Sequence, residues 1–185
     1  MVRKARMGDV VVIHQILAEF ARQGKLLPRS LIELYTNVRD FFASEDEESG
    51  KVVGCCGLHV MWEDLAEIRS LAVLTKHQGR GIGRRLVEAC IGEARELGIA
   101  RVFTLTYEAR FFERLGFCIV DKHIFPQKIW ADCLHCPKFP ECDEVALLLD
   151  LAGEQRLVAP PKKGELQSTS ASPAGVRGRR KRGGV

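Results

Sequence analysis

One stretch, KHQGRGIGRRLVEA from Lys76 to Ala89, constrains the fold of this chain more than any other. Glycines stand at 79, 81 and 83, and an amphipathic helix opens directly behind them. Glycine accepts backbone angles that other residues avoid. A helix start offers unpaired N–H groups and the positive end of the helix dipole. A glycine turn running from a strand into a helix therefore predicts an α/β domain with an anion-binding corner, and phosphate is the usual anion.

The flanking sequence supplies the rest of such a domain. Arg3–Ala5 reads as a short strand. Val10, Ile13, Ile16, Leu17, Phe20 and Ala21 recur at helical spacing up to Gly24. Ser30 and Glu33 form a capping box for a second helix, which carries Leu31, Leu34, Tyr35, Val38 and Phe42. GKLLPRS links the two helices, and EDEESG (45–50) is a polar turn. Val52–Met61 and Ala66–Val73 read as an antiparallel hairpin. After the glycine loop, Leu86, Val87, Cys90, Ile91 and Ala94 line one face of a helix from about Ile82 to Leu97. A strand at Arg101–Thr106, a short helix at Ala109–Leu115 and strands at Cys118–Asp121 and Glu144–Leu151 complete the order. The fold class is mixed α/β, with a central sheet and flanking helices. It occupies residues 1–152 and includes an irregular segment at 123–143.

Charge separates the tail from this domain. Residues 152–185 hold eight Lys/Arg and two Asp/Glu, so the tail carries +6 while residues 1–151 carry −2. Residues 153–185 contain PP, STSASP and RGRRKRGG with no hydrophobic period, which predicts a disordered basic tail. No apolar run approaches the ~20 residues that span a bilayer, and Val10–Ile13 is too short for a secretion signal. The expectation is a cytoplasmic protein with no membrane partner. Seven cysteines, an odd number, argue for reduced thiols or a metal site rather than a disulfide framework.

Three kinds of phosphate loop compete for the glycine stretch. A Walker A loop needs Lys-Ser/Thr after its last glycine, and Gly83 is followed by Arg84-Arg85. A dinucleotide fingerprint needs glycine at 84 and an acidic residue near the end of the next strand, where VFTLTY stands instead. The third pattern, Q/R-x-x-G-x-G/A, is met by Gln78 through Gly83. With AEIRSLAV before it and FFERLGF after the next strand, this constellation resembles the GNAT superfamily of acyl-CoA-dependent N-acetyltransferases over roughly residues 2–150. The resemblance implies a mostly antiparallel central sheet and acetyl-CoA as co-substrate. It implies that Gln78, Gly79, Arg80, Gly81, Ile82 and Gly83 cradle the coenzyme A pyrophosphate, with a charge-assisted contact from Arg80, Arg84 or Arg85. Leu71, Ala72 and Val73 would meet the pantetheine arm with backbone groups.

Acetyl transfer to an amine needs a base to neutralise the amine and a proton for the departing thiolate. Glu67 matches the position where some GNAT enzymes carry a glutamate that takes the amine proton through water. His59 on the neighbouring strand is the alternative base. Many members donate a proton from the tyrosine of a Y-E-x-x-G-F motif, but here the stretch begins with Phe112, which has no proton to give. Tyr107, or water, would have to act instead.

A narrower resemblance, to the short, kinase-less bacterial N-acetylglutamate synthases, rests on KLL (25–27), LY (34–35), GLHV (57–60), EIRSLAV (67–73) and RVFTLTY (101–107). It implies acetylation of the α-amine of glutamate or glutamine, the first step of arginine biosynthesis. Such a substrate needs cations in the cleft. Arg69 shares a strand face with Glu67, and Lys25 stands in the helix linker. Arg29, Arg39 and Arg110 are weaker candidates.

Cys133, Cys136 and Cys142 form C-x2-C-x5-C, a spacing that fits a structural zinc, with His123, Asp143 or no further residue of the chain as the fourth ligand. Reduced structural thiols are the alternative. Two further readings stay open: a GNAT enzyme for another amine (a protein N-terminus, lysine or a polyamine), and a zinc- or polyanion-binding module. The tail has no aromatics, which limits nucleic-acid contacts to weak, unspecific ones. A homodimer is compatible with all of these.

Overall fold

The computed structural model describes residues 1–125, 133–136, 138 and 141–153. Met1–Gln155 forms one compact unit. Its elements are β1 (Val2–Lys4), α1 (Val10–Arg22), α2 (Leu31–Thr36), β2 (Phe41–Glu45), β3 (Val52–Trp62), β4 (Leu65–Val73), α3 (Ile82–Glu96), β5 (Arg101–Thr106), α4 (Ala109–Glu113), β6 (Cys118–Val120) and β7 (Val145–Asp150). Seven strands make one sheet in the order β1-β2-β3-β4-β5-β7-β6. Every pairing is antiparallel except β4 with β5.

Each element follows from local chemistry. α1 buries Val10, Ile13, Ile16, Leu17 and Phe20, one face of a 3.6-residue period. Asp9 anchors its start by accepting from the Arg6 N–H and from Arg3, both at 2.7 Å. Arg3 holds the Asp9 carboxyl below its usual range, chiefly through that side-chain hydrogen bond. The expected capping box on α2 is present: Ser30 Oγ accepts from the Glu33 N–H, and Glu33 Oε2 accepts from the Ser30 N–H at 2.8 Å.

The sequence expectation fails just after this helix. Val38 and Phe42 continue its period on paper, yet α2 stops at Thr36 and Phe41–Glu45 is a strand. Phe41 and Ala43 are buried while Phe42 between them is half-buried, which is the alternation of a strand. This strand pairs with β1 on one side and β3 on the other. Two ladders of backbone hydrogen bonds outweigh one more turn of a short helix.

Helices cover both faces of the sheet. Leu86, Val87, Cys90, Ile91 and Ala94 of α3 pack with Val53, Cys56, Leu58, Ala66 and Ile68. On the other face α1 packs with Phe41, Ala43, Val52, Cys55 and Ala72. Farther along that second face, Phe125 stacks on Phe103 with ring centroids 4.2 Å apart. Cys55 and Cys56 are fully buried, as core cysteines should be. Burial pushes the Cys55 thiol up to about 12.

One irregularity shapes the functional region. Cys55 pairs with Ala72 but Gly57 pairs with Arg69, so β4 spends one extra residue between those rungs. Ser70 sits there with φ of 55°, the one non-glycine in the left-handed region among the described residues. Meanwhile the parallel pairing of β4 with β5 ends at Glu67–Phe103. Beyond that rung the two strands part, and the sheet opens as a wedge.

Candidate active site

The wedge is the site. A cleft of about 540 Å³ runs between β4 residues 68–73 on one side and Thr104–Tyr107 with Phe111 on the other. One end is closed by the glycine loop. Phe20, Lys25 and Leu26 line it from the α1–α2 side.

The glycine loop is built from backbone. Gly79 and Gly81 both have φ of 74°, and Gly81 is the residue from which α3 starts. A side chain at Gly81 would be strained by that φ and would also press to 3.3 Å from Arg85 Nη1. Gln78 ties the loop to the strand by donating from Nε2 to the Val73 carbonyl at 2.9 Å. The first N–H groups of α3 lack intrahelical acceptors by the geometry of any helix start. Gln78, Gly79, Gly81, Ile82, Gly83 and Arg84 all line the cleft, and so do Leu71, Ala72 and Val73. Arg80 does not: it is exposed, and its carbonyl accepts from Arg85 Nη1 at 3.2 Å. Residue 80 stands between the two left-handed glycines. Arg84 reaches the cleft but also pairs with Glu88 one turn along α3, at 2.7 Å.

The other end is built from side chains. Arg69 lines the cleft with its side chain only 10% exposed, and Lys25 approaches from the helix linker. Glu67 is buried at the last β4–β5 rung, where the wedge begins, and lies directly across the hairpin from His59. Neither Glu67 nor His59 lines the cleft itself. His59 is partly exposed rather than core, and its Nδ1 meets Asp40 Oδ2 at 2.7 Å. The same Asp40 oxygen is 3.7 Å from Arg69 Nη2. Sequence reasoning passed over Asp40, because a residue assigned to the middle of a helix gives no sign that it turns back onto the sheet.

Tyr107 lines the cleft, yet its hydroxyl donates to Asp143 Oδ1 at 2.7 Å and also meets Lys138 Nζ. Lys138 pulls this phenol's pKa down, but burial and the Asp143 carboxylate push it up, and the net shift is upward. The phenol keeps its proton at neutral pH, with that proton turned toward Asp143. Phe112, in the position of the expected tyrosine, is buried in the core beside Phe111 and Phe117.

The zinc expectation gains no support. Among the described residues no group of three or more His, Cys, Asp or Glu is arranged to hold a metal. Zinc thiolates must converge at about 2.3 Å from one ion, and Cys133, Cys136 and Cys142 do not form such a set. Cys142 Sγ lies 3.7 Å from Glu144 instead. The two reserve ligands are engaged elsewhere: His123 with Asp121, and Asp143 with Tyr107. The basic tail beyond 153 and the stretch 126–132 lie outside the described residues. No helix among the described residues is long and apolar enough to cross a membrane.

The splayed parallel pair, with a glycine loop at its mouth, can be set against known proteins. The family model described as Acetyltransferase (GNAT) family matches residues 12–117. The chain belongs to the GNAT family. Its seven-stranded, mostly antiparallel sheet with flanking helices is the GNAT fold, and the protein is an acetyltransferase of the GNAT type. An uncharacterized N-acetyltransferase of Chlorobaculum tepidum is 43% identical over 150 residues, which cover 81% of this chain and 96% of the relative. An amino-acid acetyltransferase of Mycobacterium tuberculosis is 45% identical over 123 residues, covering 65% of this chain and 70% of the relative. Among solved structures, a Mycobacterium tuberculosis protein in complex with CoA superposes with a TM-score of 0.71 at 35% identity, covering 82% of this chain and 99% of that one. The N-acetylglutamate synthase of Neisseria gonorrhoeae, complexed with coenzyme A and N-acetyl-glutamate, superposes at 0.73 with 29% identity. That match covers 82% of this chain but 35% of the longer synthase.

Proposed function

We propose that this GNAT enzyme transfers the acetyl group of acetyl-CoA to the α-amine of glutamate or glutamine. The observation that carries the reading is the presence of Arg69 and Lys25 on one cleft with the glycine loop. Cations facing the cleft suit an amino acid with carboxylate groups and oppose a lysine side chain or a polyamine. Relatives named amino-acid acetyltransferase, and a structural neighbour complexed with coenzyme A and N-acetyl-glutamate, support the same substrate class.

The pyrophosphate of coenzyme A suits the N–H groups of residues 79–83, where the dipole of the 15-residue α3 adds to the attraction. The β4 edge that faces the wedge has no β5 partner after Glu67, so Leu71–Val73 can offer backbone groups to the pantetheine arm. An N–H there would also steady the thioester oxygen as it gains charge. Glu67 takes a proton from the ammonium through water, since it stands back from the cleft wall. The amine nitrogen then attacks the thioester carbon, the C–S bond breaks, and the thiolate leaves. Its proton comes from Tyr107 only if the bond to Asp143 opens, and from water otherwise. Free coenzyme A and the N-acetyl amino acid are the products. On this reading the chain takes part in arginine biosynthesis.

Release of free coenzyme A with a panel of amines tests the proposal. Glutamate or glutamine should be acetylated, with activity falling about a hundredfold or more in Glu67→Gln and in Arg69→Ala. Turnover of cationic amines alone would sink it.

A further inference from the structure

We propose that Asp40 is a positioning residue for the amine substrate, bracing the Arg69 guanidinium so that it meets a substrate carboxylate. The inference rests on the substrate reading above and deepens it. Arg69 lines the cleft, whereas Asp40 and His59 do not. The carboxylate of Asp40 is therefore set back from the cleft wall, beside the Arg69 guanidinium. One of its oxygens serves both neighbours, at 2.7 Å from His59 Nδ1 and 3.7 Å from Arg69 Nη2.

The fold leaves this carboxylate little freedom. Asp40 ends the single turn Val38–Asp40, and its N–H donates to the Asn37 carbonyl at 3.0 Å. The next residue, Phe41, is buried under α1 and begins β2. Phe41 pairs with Gly57, and Gly57 pairs with Arg69, so three neighbouring strands fix the distance from Asp40 to Arg69. A Cβ on Gly57 would lie 3.5 Å from both the Arg69 carbonyl and the Phe41 ring, ordinary contact distance, so the three strands lie close together at that rung. A long guanidinium that must hold one orientation loses rotamer freedom, and a fixed counter-charge beside it offsets that loss before the substrate arrives. His59 does for Asp40 what Asp40 does for Arg69, by holding the carboxylate in place.

The test is steady-state kinetics on full-length variants with separate Michaelis constants for the two substrates. Asp40→Ala should raise KM for the amino acid by about fivefold to tenfold, the scale of one partly exposed ion pair at a binding site. KM for acetyl-CoA should stay within twofold of wild type. In an Arg69→Ala background, adding Asp40→Ala should change kcat/KM for the amino acid by less than about twofold, because the two residues act as a unit. Asp40→Glu should recover part of the loss. If Asp40→Ala fails to fold, the isosteric Asp40→Asn carries the test, with an expected rise of about threefold. An unchanged amino-acid KM, equal losses for both substrates, or full additivity with Arg69→Ala overturns the proposal while leaving the substrate reading intact. A wild-type chain that acetylates neither glutamate nor glutamine overturns both.

Discussion

The two ends of the cleft are made differently. At the glycine loop the groups proposed to hold coenzyme A belong to the backbone, and they come from one short stretch, Gln78 to Gly83. At the amine end the groups proposed to act are side chains: Lys25 and Arg69 on the cleft, with Asp40, His59 and Glu67 set back from it, carried by a linker, a turn and two strands. The first end is a local structure, and its shape depends on two glycines at φ of 74°. The second depends on sheet register. A donor site that recognises one constant ligand can be compact and local, whereas an acceptor site assembled from separate segments can change its amine without disturbing the loop.

Mutations should separate the two ends. The largest effect is expected at the amine end: Glu67→Gln should lower kcat by about 10²–10³ while equilibrium binding of acetyl-CoA stays as in wild type. Weaker binding of acetyl-CoA in this variant would mean that the ends are not independent. Next, Arg69→Ala should act mainly through KM for the amino acid, and Lys25→Ala in the same direction by about tenfold, as expected for single charge-assisted contacts. Initial rates at saturating acetyl-CoA check both. At the other end, Gly81→Ala should raise KM for acetyl-CoA by about tenfold, because a left-handed alanine costs about 1–2 kcal/mol. The amino-acid KM should not move. The smallest effect is expected at Tyr107, where Tyr107→Phe should change kcat by less than about threefold if water supplies the thiolate proton. A loss of a hundredfold would assign that proton to the phenol, and a solvent isotope effect on kcat would confirm the transfer.

The same division governs how much could be read in advance. The helix at 82–96, the hairpin and the capping box on α2 were all legible, since each is written in neighbouring residues. The pairing of Glu67 with the face of Arg69 was legible too, from strand alternation. β2 was not, because Val38 and Phe42 extend a helical period that only strand pairing on both sides overrules. With β2 went Asp40, whose meeting with His59 and Arg69 needs the turn before β2 to lie beside β3 and β4. The cysteine spacing 133–136–142 suggested convergence, and spacing alone does not make three thiols converge. Arg80 stands in the motif between two left-handed glycines and is exposed, outside the cleft lining.

By itself the sequence determined the order of elements around the glycine loop, the amphipathic faces of α1 and α3, and the family to which they point. Those features arise from backbone angles and side-chain periods within a few residues. Only the tertiary structure decided that the sheet would open. The extra residue at Ser70 and the end of pairing at Glu67–Phe103 are properties of strands meeting one another. Lys25, Arg69 and the loop came to share one cleft through contacts that span more than forty residues of chain. No local period encodes such a meeting, because its energy is released only when the distant partners arrive together.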